Sequence, residues 1–330
     1  MAAAVRHWIS SLMILTLAVA CGDRITIDYS RPLPDVERTS EYIAVFGDIQ
    51  YLTMPTTIFF YRTQVEWLER NIDLGAKINC VLHTGDITET NDPISWALWH
   101  GETQTLAKKT LYMSAIGDHD YTWHDKVYIS DRSDTHFNEY MDFPRTLSKV
   151  VASFEPGHME NVVVEHVVRD QRLYLLCLEF GPRNEVVEWA NEYVSSHNDV
   201  KFILVNHEYL ESGGGIRTQG LKCVARIRNS SYNTPTKLWE RLVKGNDNIV
   251  CVLCGHVGSL YALTLTDNDF GREVPQIEHN IQSTSYRFDN WLMLWEFPAV
   301  GDSVSVSIVN TATGDYYSDS KSLFKFRYKY

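Results

Sequence analysis

The chain is poor in cysteine and has no surplus of positive charge, and each shortage removes a class of function. Six cysteines occur in 330 residues. Setting aside Cys21, the remaining five, Cys80, Cys177, Cys223, Cys251 and Cys254, form an odd set without the even spacing of a disulfide framework. Cys251 and Cys254 make a single C-x-x-C where a zinc ribbon needs two, so buried strand cysteines are the plainer reading. Lys and Arg number 30 against 42 Asp and Glu, for a formal net charge of -12, which argues against a chain built to grip nucleic acid. There is no G-x-S-x-G elbow, no P-loop and no dinucleotide fingerprint, so the commoner α/β enzyme chemistries lack their signatures. Internal repeats and low-complexity tracts are missing too. Past residue 20, no run is long and apolar enough to span a bilayer.

What remains is a folded protein: 44% hydrophobic and 12% aromatic residues exclude a disordered chain. Residues 1–20 read as a signal peptide, with Arg6 and His7 before an apolar run from Trp8 to Ala20. "LAVACGD" resembles the lipobox of bacterial lipoproteins, with Ala18 where a Leu is usual and Cys21 as the residue that would carry lipid. The expectation is an exported, bacterial, membrane-anchored lipoprotein facing the periplasm or cell surface, touching the membrane through the lipid alone; ordinary secretion is the alternative. Residues 21–40 are polar and Pro-containing, a linker after the lipidated Cys21, and residues 41–330 then form one domain.

From residue 41 onward short apolar runs alternate with amphipathic stretches. Tyr42 to Phe46, Cys80 to His83 and Leu111 to Ile116 read as strands, with helices over Phe59 to Leu74 and Ile94 to Lys108 between them. That order predicts a parallel-type core with helices outside. Residues 117 to 160 show little periodicity, which in a compact domain points to a functional loop. Strands follow over Val162 to Val168, Leu173 to Glu179 and Phe202 to Asn206, with a helix from Glu185 to Ser196. A second irregular stretch, 207 to 234, contains Gly213, Gly214 and Gly215. A helix over Thr236 to Lys244, a strand over Ile249 to Cys254 and a β-rich section to about Val309 close the pattern.

Three acidic signatures stand where strands end: "FGDIQ" with Asp48, "HTGDITE" with Asp86 and "IGDHD" with Asp118. "LVNHEY" and "LCGHVG" end two later strands with His207 and His256. Loops at the carboxyl ends of strands in such sheets are where ligands bind, so the five side chains are expected to meet at one rim. Each dipeptide alone is weak evidence, since G-D is common in turns and a lone His is more often structural. Five in order, each closing an apolar run, are hard to attribute to chance.

Together these blocks resemble the calcineurin-like metallophosphoesterase superfamily, whose usual blocks are D-x-H, G-D, G-N-H-[DE], a lone His and G-H-x-H; the resemblance covers residues 42 to 258. It implies a four-layer αββα sandwich of two mixed β-sheets flanked by helices, where periodicity alone supports α/β with a β-rich end. It implies two divalent ions, Mn, Fe, Zn or Mg, bridged by Asp86. Asp48, with Gln50, would hold the first, and Asp118, His207 and His256 the second. Hydroxide activated by the ions would attack a phosphate mono- or diester, His119 would give a proton to the leaving oxygen or stabilise charge on the phosphoryl group, and Asp120 would orient that ring.

Three positions depart from the pattern. Gln50 replaces a His, Asp118 replaces an Asn and adds a negative charge, and Gly258 stands where the second His of G-H-x-H belongs. A bacterial branch of the superfamily with D-x-Q in its first block is a closer likeness, through "LEFGPRNEVVEWAN" and "VPQIEHNIQ". His279 in the latter either replaces the missing ligand or is an ordinary strand histidine. Arg183 either grips a substrate phosphate or pairs at the surface; Tyr121, Trp123 and His124 either wall a pocket or pack a loop; Glu89 either meets a water of the site or begins a helix. The rival to a phosphoesterase is a noncatalytic metal- or ligand-binding lipoprotein that keeps the fold with a degraded first site.

Overall fold

Alternation along the apolar runs decides how they pack. The computed structural model describes residues 38–124, 129–218, 231–283, 285–318 and 322–328, all within the compact unit Leu33–Tyr330. The expected signal peptide, Cys21, most of the linker and Cys223 lie outside the described residues.

In chain order the strands are β1 (Glu41–Phe46), β2 (Lys77–His83), β3 (Leu111–Ser114), a short pair β4 (Trp123–His124) and β5 (Ile129–Ser130), then β6 (Val150–Ser153), β7 (Val162–Val164), β8 (Val167–Val168), β9 (Gln171–Cys177), β10 (Lys201–Val205) and β11 (Ile249–Cys254). After them come β12 (Tyr261–Asp267), β13 (Glu273–His279), β14 (Trp291–Phe297), β15 (Ser303–Asn310) and β16 (Phe324–Arg327). One sheet runs β16-β15-β14-β1-β2-β3, and the other β12-β13-β11-β10-β9-β7-β6 with β8 against β9. Both are mixed: β1, β2 and β3 are parallel and β14 antiparallel to β1, while β9, β10, β11 and β13 are parallel and β12 antiparallel to β13.

Three long helices flank the sheets: α1 (Ile58–Asp73), α2 (Pro93–Lys109) and α3 (Asn184–Ser196). The start of α2 is fixed by Asp92, whose side chain accepts from the N–H of Ile94 and Ser95, and by Pro93 at the first turn. Along α1 the buried residues Ile58, Tyr61, Val65 and Leu68 fall at helical spacing on one face. In the second sheet the two-residue period separates two cores. Leu173, Leu175, Cys177, Ile203, Val205, Cys251 and Leu253 join the core shared with the first sheet. Their neighbours Tyr174, Leu176, Phe202, Leu204, Val252 and Cys254 pack with Val186, Val187, Ala190 and Val194 of α3. Helices, sheet, sheet and helix are thus four layers. Cys251 and Cys254 point into different cores and cannot chelate one ion; with Cys80 and Cys177 they are buried free thiols.

Four local expectations change. The stretch 117 to 160 has its own structure, including the β4–β5 pair, single helical turns at Phe137–Tyr140 and Pro144–Leu147, and the edge strand β6. Its order comes from contact with α2, where Trp96 packs on Phe137 and Tyr140, and such tertiary packing has no periodicity to read. The run Val162 to Val168 breaks into β7 and β8. The helix expected over 236 to 244 becomes one turn, Pro235–Leu238, followed by a π-type turn at Trp239–Val243. Strand β16 extends the β-rich section past Val309. Trp96 is wholly buried, edge-on to Trp99, with its indole N–H on Asn91 Oδ1 at 2.8 Å. Trp96→Ala is expected to lower stability by about 3–5 kcal/mol, read as a fall in the urea midpoint with little change of slope.

Candidate metal centre

Each expected ligand follows a strand end: Asp48 after β1, Asp86 after β2, Asp118 after β3, His207 after β10 and His256 after β11. The first three come from one sheet and the two histidines from the other. Backbone bonds tie the loops together, Ile49 N–H to Asp86 O at 3.1 Å and Gly255 N–H to His207 O at 2.9 Å. Asp86 and His256 adopt left-handed φ of 56° and 74°, a local strain of the kind that gathers at functional sites. The glycines of the motifs serve neighbouring ligands. A Cβ on Gly117 would stand 2.1 Å from Asp86 Oδ1, and one on Gly255 2.1 Å from Asp48 Oδ1.

Asp86, Asp118, His207 and His256 each offer one ligand atom, and these atoms all lie within 4.8 Å of one another. The His207 Nδ1–H donates to the Thr84 carbonyl at 2.9 Å, which fixes the tautomer and turns Nε2 inward. There Nε2 meets Asp86 Oδ1 at 3.2 Å, Asp118 Oδ1 at 3.3 Å and His256 Nδ1 at 3.1 Å. Lone pairs facing carboxylates in a dry interior call for a proton or a metal cation between them. Burial opposes charge on His207, and Asp86 and Asp48 override it, holding its pKa well above the usual value. Asp118, although burial works against its charge, is held well below the usual carboxylate range by His256 and His207. Both Asp118 oxygens and His256 Nε2 are buried without a hydrogen bond. A buried, converging N/O donor set with spare lone pairs fits a divalent ion.

The flank expected to form a first site is built differently. Asp48 stands outside that four-residue group. Its Oδ2 accepts from His256 N–H at 2.9 Å and from Asn280 Nδ2 at 2.8 Å, and its Oδ1 from Thr84 Oγ1 at 3.2 Å. Burial pushes its carboxyl up to about 7, against the pull of His207. Gln50 donates Nε2 to Asp86 Oδ2 at 3.1 Å, while its Oε1 is buried with no partner; an orphaned amide oxygen beside the Asp86 carboxylate fits a hard cation. His279 does not join the group: it is a strand residue with Nδ1 on the Leu260 carbonyl at 2.8 Å. Its neighbour Asn280, not singled out in the sequence, is the residue that reaches Asp48. The signal in the sequence is the position of Asn280 just past a strand end, the place that the expected ligands occupy.

Around His119 the structure corrects one role. The expected orienting carboxylate, Asp120, accepts from Gly117 N–H at 3.0 Å and Thr88 N–H at 2.9 Å and fastens two ligand loops. His119 Nδ1 instead meets the Glu89 carbonyl at 2.8 Å and its carboxylate at 3.5 Å. The reason is direction: Asp120 is turned into the core, where burial and Asp86 raise its carboxyl to about 7. Burial lowers the His119 pKa less than Asp86 and Asp118 raise it, leaving it at about 9. Trp123 packs on the His119 ring, centroids 4.4 Å apart, and donates its indole N–H to Asp118 O at 2.9 Å. Tyr121 is buried in the main core, so it packs the loop and walls no pocket. Arg183 has its fork on the buried Glu179 and on Glu155, an ion pair that is only partly at the surface. His124 falls in β4, and its side chain lies outside the described residues.

Because Gly255 clears space for Asp48 and Thr84, Gly255→Ala is expected to weaken divalent-ion binding roughly 10- to 100-fold, the size seen when groups that orient ligands are disturbed. Gly101→Ala is the control, since a Cβ there meets nothing within 4 Å. Calorimetric titration with Mn²⁺ checks both.

The chain matches the family described as calcineurin-like phosphoesterase over residues 42–274. It is 27% identical over 287 residues to the uncharacterized protein YvnB of Bacillus subtilis strain 168, covering 82% of this chain and 20% of that protein. The chain therefore spans about a fifth of the length of this curated relative. Purple acid phosphatase PPD1 from yellow lupin (Lupinus luteus) seeds superposes with a TM-score of 0.50 and 13% identity over 84% of this chain and 53% of that one, a likeness of fold. A 5'-nucleotidase precursor from Thermus thermophilus matches with a TM-score of 0.42 and 15% identity, again over 84% and 53%. With the family match spanning most of the domain that holds Asp48, Asp86, Asp118, His207 and His256, the chain belongs to the calcineurin-like phosphoesterase family.

Proposed function

We propose that the chain hydrolyses a phosphate mono- or diester with two divalent ions. The observation that carries this reading is the four-residue ligand group with His119 at its rim. Asp86, Asp118, His207 and His256 would hold one ion; Asp48, Gln50 and the shared Asp86 would hold the other. Ions in such a pair polarise phosphoryl oxygens and lower the pKa of water. The protein's own part is placement. Nδ1 of His119 is engaged by Glu89, so Nε2 is the ring position left to meet the leaving oxygen and give it a proton. Trp123 on one side of the ring limits its rotation and keeps water from that side. The loop that carries His119 is pinned by Asp120.

A noncatalytic binding protein is the second reading, favoured by the hydrogen bonds that already engage Asp48 and by the missing side chain at Gly258. Turnover separates them. On para-nitrophenyl phosphate and its bis ester, with Mn²⁺, Mg²⁺ or Zn²⁺, wild type should turn over and Asp86→Ala should not. His119→Asn should lower kcat roughly 10²- to 10⁴-fold, the usual worth of a general acid, with metal content unchanged. Activity no higher than that of Asp86→Ala under every metal favours the binder, and one ion per active chain by elemental analysis removes the two-ion mechanism. For the N-terminus we propose export and lipidation at Cys21, resting on the sequence alone; Cys21→Ser should abolish labelling by a fatty-acid analogue and release the protein from membranes.

A further inference from the structure

Beyond His119 a second charged group stands near the centre, and the reaction outlined above gives it no task. Tyr51 directly follows Gln50, and its hydroxyl lies near the Glu89 carboxylate, which itself lies 3.5 Å from His119 Nδ1. Arg287 rests on the face of Tyr51, its guanidinium carbon 3.5 Å from the ring centroid. Its Nε donates to the Gln282 carbonyl at 2.9 Å, and its backbone N–H to the Ser283 carbonyl at 2.9 Å. Among the described residues neither Nη atom has a hydrogen-bond acceptor. Glu89 is close enough for its charge to be felt by Arg287, but forms no ion pair with it among the described residues.

We propose that Arg287 is a specificity-determining residue that binds a second oxyanion on the alcohol part of the ester, a further phosphate or a carboxylate; this rests on the phosphoesterase reading. A guanidinium stacked on a ring and tied at Nε has lost its freedom before a ligand arrives, so little entropy opposes binding. Its remaining edge is a two-pronged donor that matches one carboxylate or phosphate group. The order Arg287, Tyr51, Glu89, His119 sets it two side chains outward from the ring that meets the leaving oxygen. In this proposal its place is therefore on the leaving-group side, next to what is attached to that oxygen, rather than at the phosphoryl group under attack. Beside it Phe288 packs on Phe60 at 5.0 Å between centroids and Phe60 on Phe59 at 4.2 Å. Phe59 and Phe288 are 51% and 43% exposed, an apolar shoulder for the carbon body that joins the two anions. In a chain of net charge -12, a pre-set cation with free donors at this place is a selective feature rather than background.

The test measures kcat/KM for phenyl phosphate against para-carboxyphenyl phosphate, and for butanediol monophosphate against its bisphosphate. Wild type should favour the doubly anionic member of at least one pair roughly 10- to 100-fold, mainly through KM, the size of a charge-assisted hydrogen-bonded contact. Which pair responds tells carboxylate from phosphate. Arg287→Ala should abolish the preference, and Arg287→Lys, which keeps charge without the fork, should retain only part. No preference in wild type for either pair, or an equal loss on both members of a pair in Arg287→Ala, overturns the assignment. Binding of butylphosphonate and butane bisphosphonate to the metal-loaded protein is titrated in parallel. Tighter, Arg287-dependent binding of the bisphosphonate without turnover of any ester keeps the subsite and sinks the hydrolase; equal binding of the two phosphonates without turnover sinks both.

Discussion

Negative charge packed into a dry interior is the constraint from which most of the centre follows. Asp48, Asp86, Asp118 and Asp120 are each at most 1% exposed, and no Lys or Arg bonds to any of them among the described residues. Carboxylates so placed repel one another and have lost their water, a cost of several kcal/mol each unless offset. Part of the offset is backbone: His256 N–H on Asp48, His119 N–H on Asp86, and Gly117 and Thr88 N–H on Asp120. The imidazoles His207 and His256 supply another part. Each of these donors belongs to a loop that carries a functional residue, so charge compensation and loop placement are the same set of bonds.

That coupling explains why the centre straddles two sheets. The acids leave β1, β2 and β3 while the histidines leave β10 and β11, and neither sheet could gather both kinds of ligand alone. His207 spans the gap twice, with Nδ1 on Thr84 of the first sheet's loop and Nε2 on its carboxylates. The approach is close enough that a side chain at Gly255, on the loop after β11, would collide with Asp48 on the loop after β1. A shift of one sheet against the other by the width of a methyl group would open the ligand set.

Much of this was legible in the sequence, and what was not has a common cause. The strand ends at Asp48, Asp86, Asp118, His207 and His256 could be read because local periodicity marks where a run stops and a glycine dipeptide marks the turn. Asn280 could not be read as Asp48's partner, because 232 residues separate them and only the close approach of the end of β13 to the loop after β1 joins them. Glu89, and not Asp120, stands at His119 Nδ1 for a similar reason: adjacency to His119 in the chain says nothing about which way a carboxylate points. Nor does G-D or G-H reveal that the glycine makes room for a different ligand. Patterns in sequence report direction along the chain, whereas these contacts lie across it.

The departures from the family pattern act together through charge. Gln50 and Gly258 replace neutral imidazoles and leave the charge of the ligand set unchanged, whereas Asp118 in place of Asn adds one negative unit. The set then contains three carboxylates, Asp48, Asp86 and Asp118. Against a single dication the centre stays negative and repels an anionic ester; against two it turns positive and attracts one. On the reading proposed above, loss of imidazole on one flank would weaken the grip on that ion, while the added carboxylate would make its presence more necessary for binding phosphate. Gln50 Oε1, buried and without a partner beside Asp86, is the neutral oxygen that could hold such an ion without adding further charge. On the proposed two-ion reading, the neutral flank and the extra acid on the other flank are one adjustment, which would leave substrate attraction dependent on the more weakly held ion.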